Sequence, residues 1–229
     1  FFIGAIVMIT LKNTELQHVT PESVGVKSSA IKAFVDEINS KKLGLQSFTM
    51  VRHDKVFAQG FWKPYAADIP HVLYSMSKSV TSTAVGFAVD EGLISLDDKV
   101  CKFFPEYFAA KLPINKALTV RMLLTMRSDK FITVFDEKGG KDWIKQFFDA
   151  GYMMPPNTKF NYISENTFML SAIVSKVTGM SVADYLYPRM FAPLGIEKPF
   201  WETDGKGNNA GGWGLYMKSE DLAKFFLPY

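Results

Sequence analysis

Residues 71–100 read HVLYSMSKSVTSTAVGFAVDEGLISLDDKV. Val80, Ala84, Val85, Phe87, Ala88 and Val89 make the span from Met76 to Glu91 apolar on most faces, and Gly92 follows as a C′ residue, so a buried helix is predicted there. Ser75 and Lys78 stand at its start. Residues at i and i+3 lie one above the other on a helix, which brings the Ser75 hydroxyl within hydrogen-bond reach of the Lys78 amine. In the first turn the helix N-terminus favours negative charge developing on the oxygen, and the Ser75 N–H can serve as an oxyanion donor. Lysine ordinarily titrates near ~10.4, so it takes a serine proton at neutral pH only where burial or a cationic or polar neighbour favours the amine form. The apolar helix is expected to supply that burial.

Ser-x-x-Lys alone is weak, since about one chance match is expected in a chain of this length. A second match, Ser29-Ala30-Ile31-Lys32, opens an amphipathic helix predicted over 28–41 from Ile31, Phe34, Val35 and Ile38, with Ser28 or Ser29 as N-cap. There the serine reads as a cap and the lysine as a solvated charge. At 75–78 the context reverses that balance, because a lysine set in an apolar helix without a task is costly.

Other catalytic schemes find no residues to carry them. His18, His53 and His71 are the only histidines, and no G-x-S-x-G occurs, so the Ser, Asp, His order of an α/β-hydrolase cannot be built. No histidine has an i, i+4 partner for a zinc protease site, and His53 reads as a turn residue. Gly205-Lys206-Gly207-Asn208-Asn209-Ala210 matches a dinucleotide fingerprint by letters only and is read as a plain loop, with no strand before it and no apolar helix directly after.

Outside this region the chain reads as one α/β layer followed by a helical insert. SFTMVR (47–52) and VFAQGFW (56–62), separated by His53-Asp54-Lys55, predict a hairpin. Further helices are expected over 119–126 with Thr119 as cap, 141–150 ending at Gly151, 164–178 ending at Gly179, and 181–191 with a capping-box-like Ser181 and Asp184, which Pro188 should kink or end. The divisions are 1–20, a terminal segment; 21–72, helix plus hairpin; 73–200, mainly helical; and 201–229, a return towards the sheet. At 229 residues, with 48% hydrophobic and 21% charged residues, the composition is that of an ordinary globular protein. A net charge of +3, alternating in sign along the chain, argues against a nucleic-acid groove or a polybasic membrane patch. The single Cys101 can form no internal disulfide. FFIGAIVMIT (1–10) is too short for a membrane span and lacks a basic flank, leaving a leader remnant, an expression scar or a buried strand open. Localisation leans to the cytoplasm, with periplasm or secretion as alternatives.

The segment around Ser75 resembles the active-site helix of the serine β-lactamase and penicillin-binding-protein superfamily, particularly class C β-lactamases, DD-peptidases and family VIII carboxylesterases. TPESVGV (20–26), LTVRMLLTM (118–126), PNTKFNYISENTFMLSAIVSKVTGMSVADYL (156–186), FAPLGI (191–196) and GGWGLYMKSEDLAKF (211–225) are similar to the same family in the same order. The resemblance implies an α/β, β-lactamase-like fold: an antiparallel sheet flanked by helices plus a mainly helical domain, with the C-terminal strands lying beyond the given chain. It implies an acyl-enzyme on Ser75, Lys78 as general base, and no metal or organic cofactor. The family's Tyr-x-Asn has its counterpart in Tyr162-Ile163-Ser164, with Tyr162 relaying a proton to the leaving group; a core tyrosine before a helix cap at Ser164 is the alternative. Ser164 replaces the usual asparagine, which weakens amide and β-lactam recognition and favours esters. The third motif, Lys or His, then Thr or Ser, then Gly, is not found. Lys176-Val177-Thr178-Gly179 is a near match that closes a helix. Tyr74, Trp201, Trp213 and Tyr216 are candidate walls of the acyl pocket, a position that core packing explains equally well. The expected partner is a small ester or amide substrate, with a homo-oligomer or complementing chain as a source of the missing strand. A catalytically silent binding module is the reading from another class.

Overall fold

The computed structural model describes residues 15–108, 113–131 and 142–228. The stretch at 1–10 and residue 141 of the expected helix lie outside the described residues. In chain order the main elements are β1 (Gln17–His18), α1 (Ser28–Ser40), β2 (Ser47–Arg52), β3 (Lys55–Phe61), α2 (Ser77–Asp90), α3 (Pro105–Phe108), α4 (Val120–Leu124), α5 (Trp143–Asp149), α6 (Ser164–Thr178), α7 (Val182–Leu186) and α8 (Ser219–Phe226). The chain forms two compact units. One takes Phe1–His71, Arg189–Glu197 and Met217–Tyr229; the other takes Val72–Pro188 and Lys198–Tyr216.

The first unit is the sheet layer. β2 and β3 pair antiparallel from Ser47↔Phe61 to Arg52↔Lys55, with a bulge between Met50 and Val51. His53 and Asp54 both adopt left-handed conformations, φ 52° and 58°, as a two-residue hairpin turn of the primed type requires. β1 adds parallel to β3, giving the order β1-β3-β2, so this sheet is mixed rather than purely antiparallel. α1 turns Phe34 edge-on to Phe48 on β2, at 5.2 Å between ring centres, and its Asn39 side chain accepts a hydrogen bond from the Trp62 indole at 2.8 Å. α1 is not capped by Ser28 or Ser29. Lys27 occupies the N-cap, and the Ser28 N–H donates instead to the Glu22 carboxylate at 2.7 Å, a longer-range acceptor that local spacing cannot reveal. Lys32 pairs with Asp36 on the exposed face of α1, as a solvated lysine should. α8 lies on β2, where the Thr49 and Ser219 hydroxyls share a hydrogen bond at 2.7 Å.

The second unit is built on α2 and α6, which pack against each other. α6 buries every residue from Glu165 to Val174 and ends, as expected, at Gly179 with φ 70°. α2 buries Ser77, Val80, Thr81, Ala84, Val85 and Ala88. It is less enclosed than its sequence suggests, because Ser82, Gly86 and Asp90, spaced four apart, form a solvent stripe. Thr119 caps α4 by accepting from the Met122 N–H, and Ser181 caps α7 by accepting from the Asp184 N–H. α7 ends at Leu186 and continues directly into a π-helical turn, Tyr187–Phe191, that contains Pro188. Phe104, Phe147, Phe148 and Phe168 fill the interior between the helices. Among the described residues, no helix is long and apolar enough to cross a membrane.

Candidate active site

Ser75 lies in a single 3₁₀ turn, Tyr74–Met76, that feeds directly into α2. Tyr74 is held at φ 43°, a left-handed conformation costly for a bulky residue, and its side chain is 70% exposed. That turn presents Ser75 outward, while Ser77, two residues on, is fully buried and accepts the Leu215 N–H. One turn on, Lys78 is half-buried. The helix alone does not enclose it; α6 and the 211–214 loop supply the rest of its surroundings.

Lys78 Nζ has three oxygen neighbours: Ser75 Oγ at 3.0 Å, Ser164 Oγ at 2.9 Å and the Gly212 carbonyl at 2.7 Å. A carbonyl only accepts, so one N–H is committed to Gly212 in any protonation state. Both hydroxyls can donate or accept. In the amine form, two N–H bonds to Gly212 and Ser164 leave the lone pair aimed at the Ser75 hydroxyl.

Tyr162 completes the cluster, with its ring centre 5.0 Å from Lys78 Nζ. Burial alone pushes its phenol up, but the polar Ser75 and Lys78 side chains beside it and the lysine's charge outweigh that, and the phenol falls below the ordinary tyrosine range. At 53% exposure it is not a core tyrosine. Nor is Ser164 the cap of α6: Ile163 holds that position, and the Ser164 hydroxyl is turned to Lys78.

Gly212 is a participant that sequence reading passed over. A Cβ there would sit 2.7 Å from the Ser164 carbonyl oxygen, and one on Gly211, at φ 67°, 2.8 Å from the Thr167 carbonyl oxygen. Two glycines are needed for this loop to lie flat on α6, and the Thr81 hydroxyl fixes it by donating to the Gly211 carbonyl at 2.9 Å. The pair of glycines in GGWG was the available signal. Trp213 follows, half-buried, its ring 5.5 Å from that of Trp143. Trp201 belongs to the core instead: it is 4% exposed, and its indole donates to the Trp213 carbonyl. Tyr216 packs on Phe200, at 5.4 Å between ring centres. Glu165, beside Ser164, is buried; burial raises its carboxyl, and the Lys78 charge opposes that rise.

A latch holds the approach to Tyr162. The Asn161 N–H donates to Met126 O at 2.7 Å, Met153 N–H to Asp129 O at 2.9 Å, and the Asp129 carboxylate accepts from the Thr158 and Lys159 N–H groups. Inside it Lys130 is fully buried, donating to Ala150 O at 2.8 Å and lying 4.2 Å from the centre of the Tyr152 ring. Burial pulls its amine down to about 7, against a weaker opposing pull from Asp149. An unfolded lysine keeps its proton up to ~10.4, so between about 7 and that value the unfolded chain binds more protons, and stability should rise with pH. Lys130→Met should flatten that rise, reducing the gain between pH 7 and 9 by roughly 2 kcal/mol. Urea unfolding of both proteins at the two pH values checks this, and an identical pH dependence contradicts it.

Of the remaining motifs, Lys176-Val177-Thr178-Gly179 closes α6, and its lysine pairs with Glu106 at 3.1 Å. The 205–210 stretch is a loop, with Lys206 bound to Asp142. His53 is a turn residue, and His71 stacks on Tyr65.

Comparison with known proteins places this arrangement. The family description "Beta-lactamase" matches residues 31–228. The chain is 30% identical over 182 residues to penicillin-binding protein 4 of Amycolatopsis lactamdurans, covering 76% of this chain and 44% of that protein. It is 24% identical over 227 residues to the 6-aminohexanoate-dimer hydrolase of Paenarthrobacter ureafaciens, covering 90% and 57%. It is 26% identical over 174 residues to the lovastatin esterase of Penicillium rubens, covering 62% and 42%. In structure it is similar to FmtA from Staphylococcus aureus, with a TM-score of 0.72 at 17% identity, over 92% of this chain and 67% of that one. The chain thus spans about half the length of the curated relatives it matches. With its β-lactamase-like fold and the family match across most of its length, the chain belongs to the Beta-lactamase family of serine hydrolases.

Proposed function

We propose that the protein hydrolyses carboxylic esters through an acyl-enzyme on Ser75. The observation that carries this reading is the 3.0 Å contact between the Ser75 hydroxyl and Lys78 Nζ, with the Tyr162 ring centre 5.0 Å from the same nitrogen. Lys78, as the amine, takes the Ser75 proton while Oγ bonds to the ester carbonyl carbon. The resulting oxyanion is met by the Ser75 N–H at the start of α2. As the carbonyl–alkoxide bond breaks, Tyr162 gives its proton to the departing oxygen and is reprotonated by Lys78. Water then attacks the acyl-enzyme, passes a proton through the same pair, and releases the acid with Ser75 restored.

Esters are favoured over amides at position 164. By resemblance an asparagine stands there in the family, offering a carboxamide to the substrate; here a shorter hydroxyl is already engaged with Lys78. An alkoxide also needs less protonation to leave than an amine. The lovastatin esterase among the relatives supports the same direction. Parallel kinetics with p-nitrophenyl acetate and a chromogenic cephalosporin test it. Turnover of the acetate with little of the cephalosporin is expected. Faster cephalosporin turnover would reassign the protein as a β-lactamase, and no turnover of either would leave the silent binding module.

A further inference from the structure

The side chains around Tyr162 suggest which half of an ester the site recognises by contact. Asn161 turns inward, donating from its backbone to Met126 O and from its side chain to Lys130 O at 3.1 Å. In an extended stretch alternate residues face opposite ways, and its neighbours Phe160 and Tyr162 do project outward, 64% and 53% exposed. Phe131, next to the Lys130 carbonyl that Asn161 holds, is 66% exposed. Among the described residues, the large apolar side chains more than 60% exposed are Tyr74, Phe131, Phe160 and Phe200. The first of these adjoins Ser75, Phe160 stands two residues before Tyr162, and Phe131 follows the Lys130 carbonyl to which Asn161 donates. Exposed aromatic surface beside a reactive group marks a contact site.

We propose that Phe160 and Phe131 seat the alcohol half of the substrate, which is therefore apolar. The inference rests on the ester reading above. If Tyr162 protonates the departing oxygen, that oxygen lies within hydrogen-bond distance of the phenol, and the alcohol carbons attached to it extend over the residues sharing Tyr162's outward face. The acyl carbon, bonded to Ser75 Oγ, extends away from that face. In the step itself the Ser75 Oγ–acyl bond forms, the acyl–alkoxide bond breaks, and the alkoxide leaves with the Tyr162 proton. The free alcohol then vacates the aromatic shelf before water arrives.

The test compares two ester series. Ethyl, butyl and hexyl acetate vary the alcohol and are followed by titration of released acid; p-nitrophenyl acetate, butyrate and hexanoate vary the acyl group. One open face of contact should raise kcat/KM about twofold per added CH₂ along the alcohol series, or about 16-fold overall from ethyl to hexyl, mainly through KM. The acyl series should rise less. Phe160→Ser should flatten the alcohol series, and Phe160→Leu should keep most of the slope. A flat alcohol series in protein that still hydrolyses p-nitrophenyl acetate overturns this inference alone, whereas failure to hydrolyse any ester overturns the ester reading beneath it. A slope that survives Phe160→Ser also overturns the assignment. So does a dimer that Phe160→Ser dissociates, since the rings would then belong to a contact with a second copy.

Discussion

Ser75→Ala should fold as well as the parent protein and lose at least about 10³-fold of its ester turnover. Ser75 is exposed in its 3₁₀ turn, so removing its oxygen opens no cavity and strands no buried group. Lys78→Met should lose a comparable fraction of activity for a different reason, and should also cost stability. The Gly212 carbonyl is buried and accepts from Lys78 at 2.7 Å; a thioether offers it nothing, and an abandoned buried carbonyl costs about 1–3 kcal/mol. Turnover and urea midpoints measured on both variants separate the two effects. Residual activity in Ser75→Ala near the parent level contradicts the assignment, and inactivation by Ser29→Ala would show that the other Ser-x-x-Lys pair is the relevant one.

Gly212→Ala should be the most damaging small change away from the proposed nucleophile. The added methyl meets backbone, the Ser164 carbonyl oxygen at 2.7 Å, so no side chain can swing aside to admit it. Either the loop lifts from α6 or the start of α6 retreats, and both movements pull an oxygen away from Lys78. A displacement near 1 Å is worth about 10²-fold in rate, with about 1–3 kcal/mol of stability lost to overpacking. Gly86→Ala is the matched control. It lies on the solvent stripe of α2 with open space around it, and there alanine should stabilise the helix by roughly 0.5–1 kcal/mol and leave turnover unchanged. If Gly212→Ala behaves like Gly86→Ala, the loop carbonyl has no part in positioning Lys78.

The contrast between those two glycines explains what the sequence could disclose. Helix periodicity and end signals located α2, α4, α6 and α7 because they act within a few residues: Thr119, Ser181, Gly92 and Gly179 each terminate or cap the element next to them. The Ser75–Lys78 pair was legible for the same reason, being three residues apart across the 3₁₀ turn that enters α2. Tyr162 and Ser164 came from the family resemblance, since nothing in their own neighbourhood announces a partner 86 residues away. The Gly212 contact spans 134 residues and uses a main-chain oxygen, which every residue type carries, so composition could not flag it. Lys130 was equally silent. Its burial follows from how residues 126–131 pair with 150–161, and a lysine between Asp129 and Phe131 reads locally as an ordinary surface charge. The capping of α1 failed in the same way, with Glu22 reaching forward to a helix that has two serines at its start.

The Ser75 oxygen is proposed to be nucleophilic because Lys78 and Tyr162 stand beside it. Incubation with a fluorophosphonate, followed by intact-mass measurement and peptide mapping, tests this without knowledge of the natural substrate. One adduct per chain is expected, located on the peptide containing Ser75 and absent from both Ser75→Ala and Lys78→Met. An unmodified protein, or an adduct on any other residue, would contradict it.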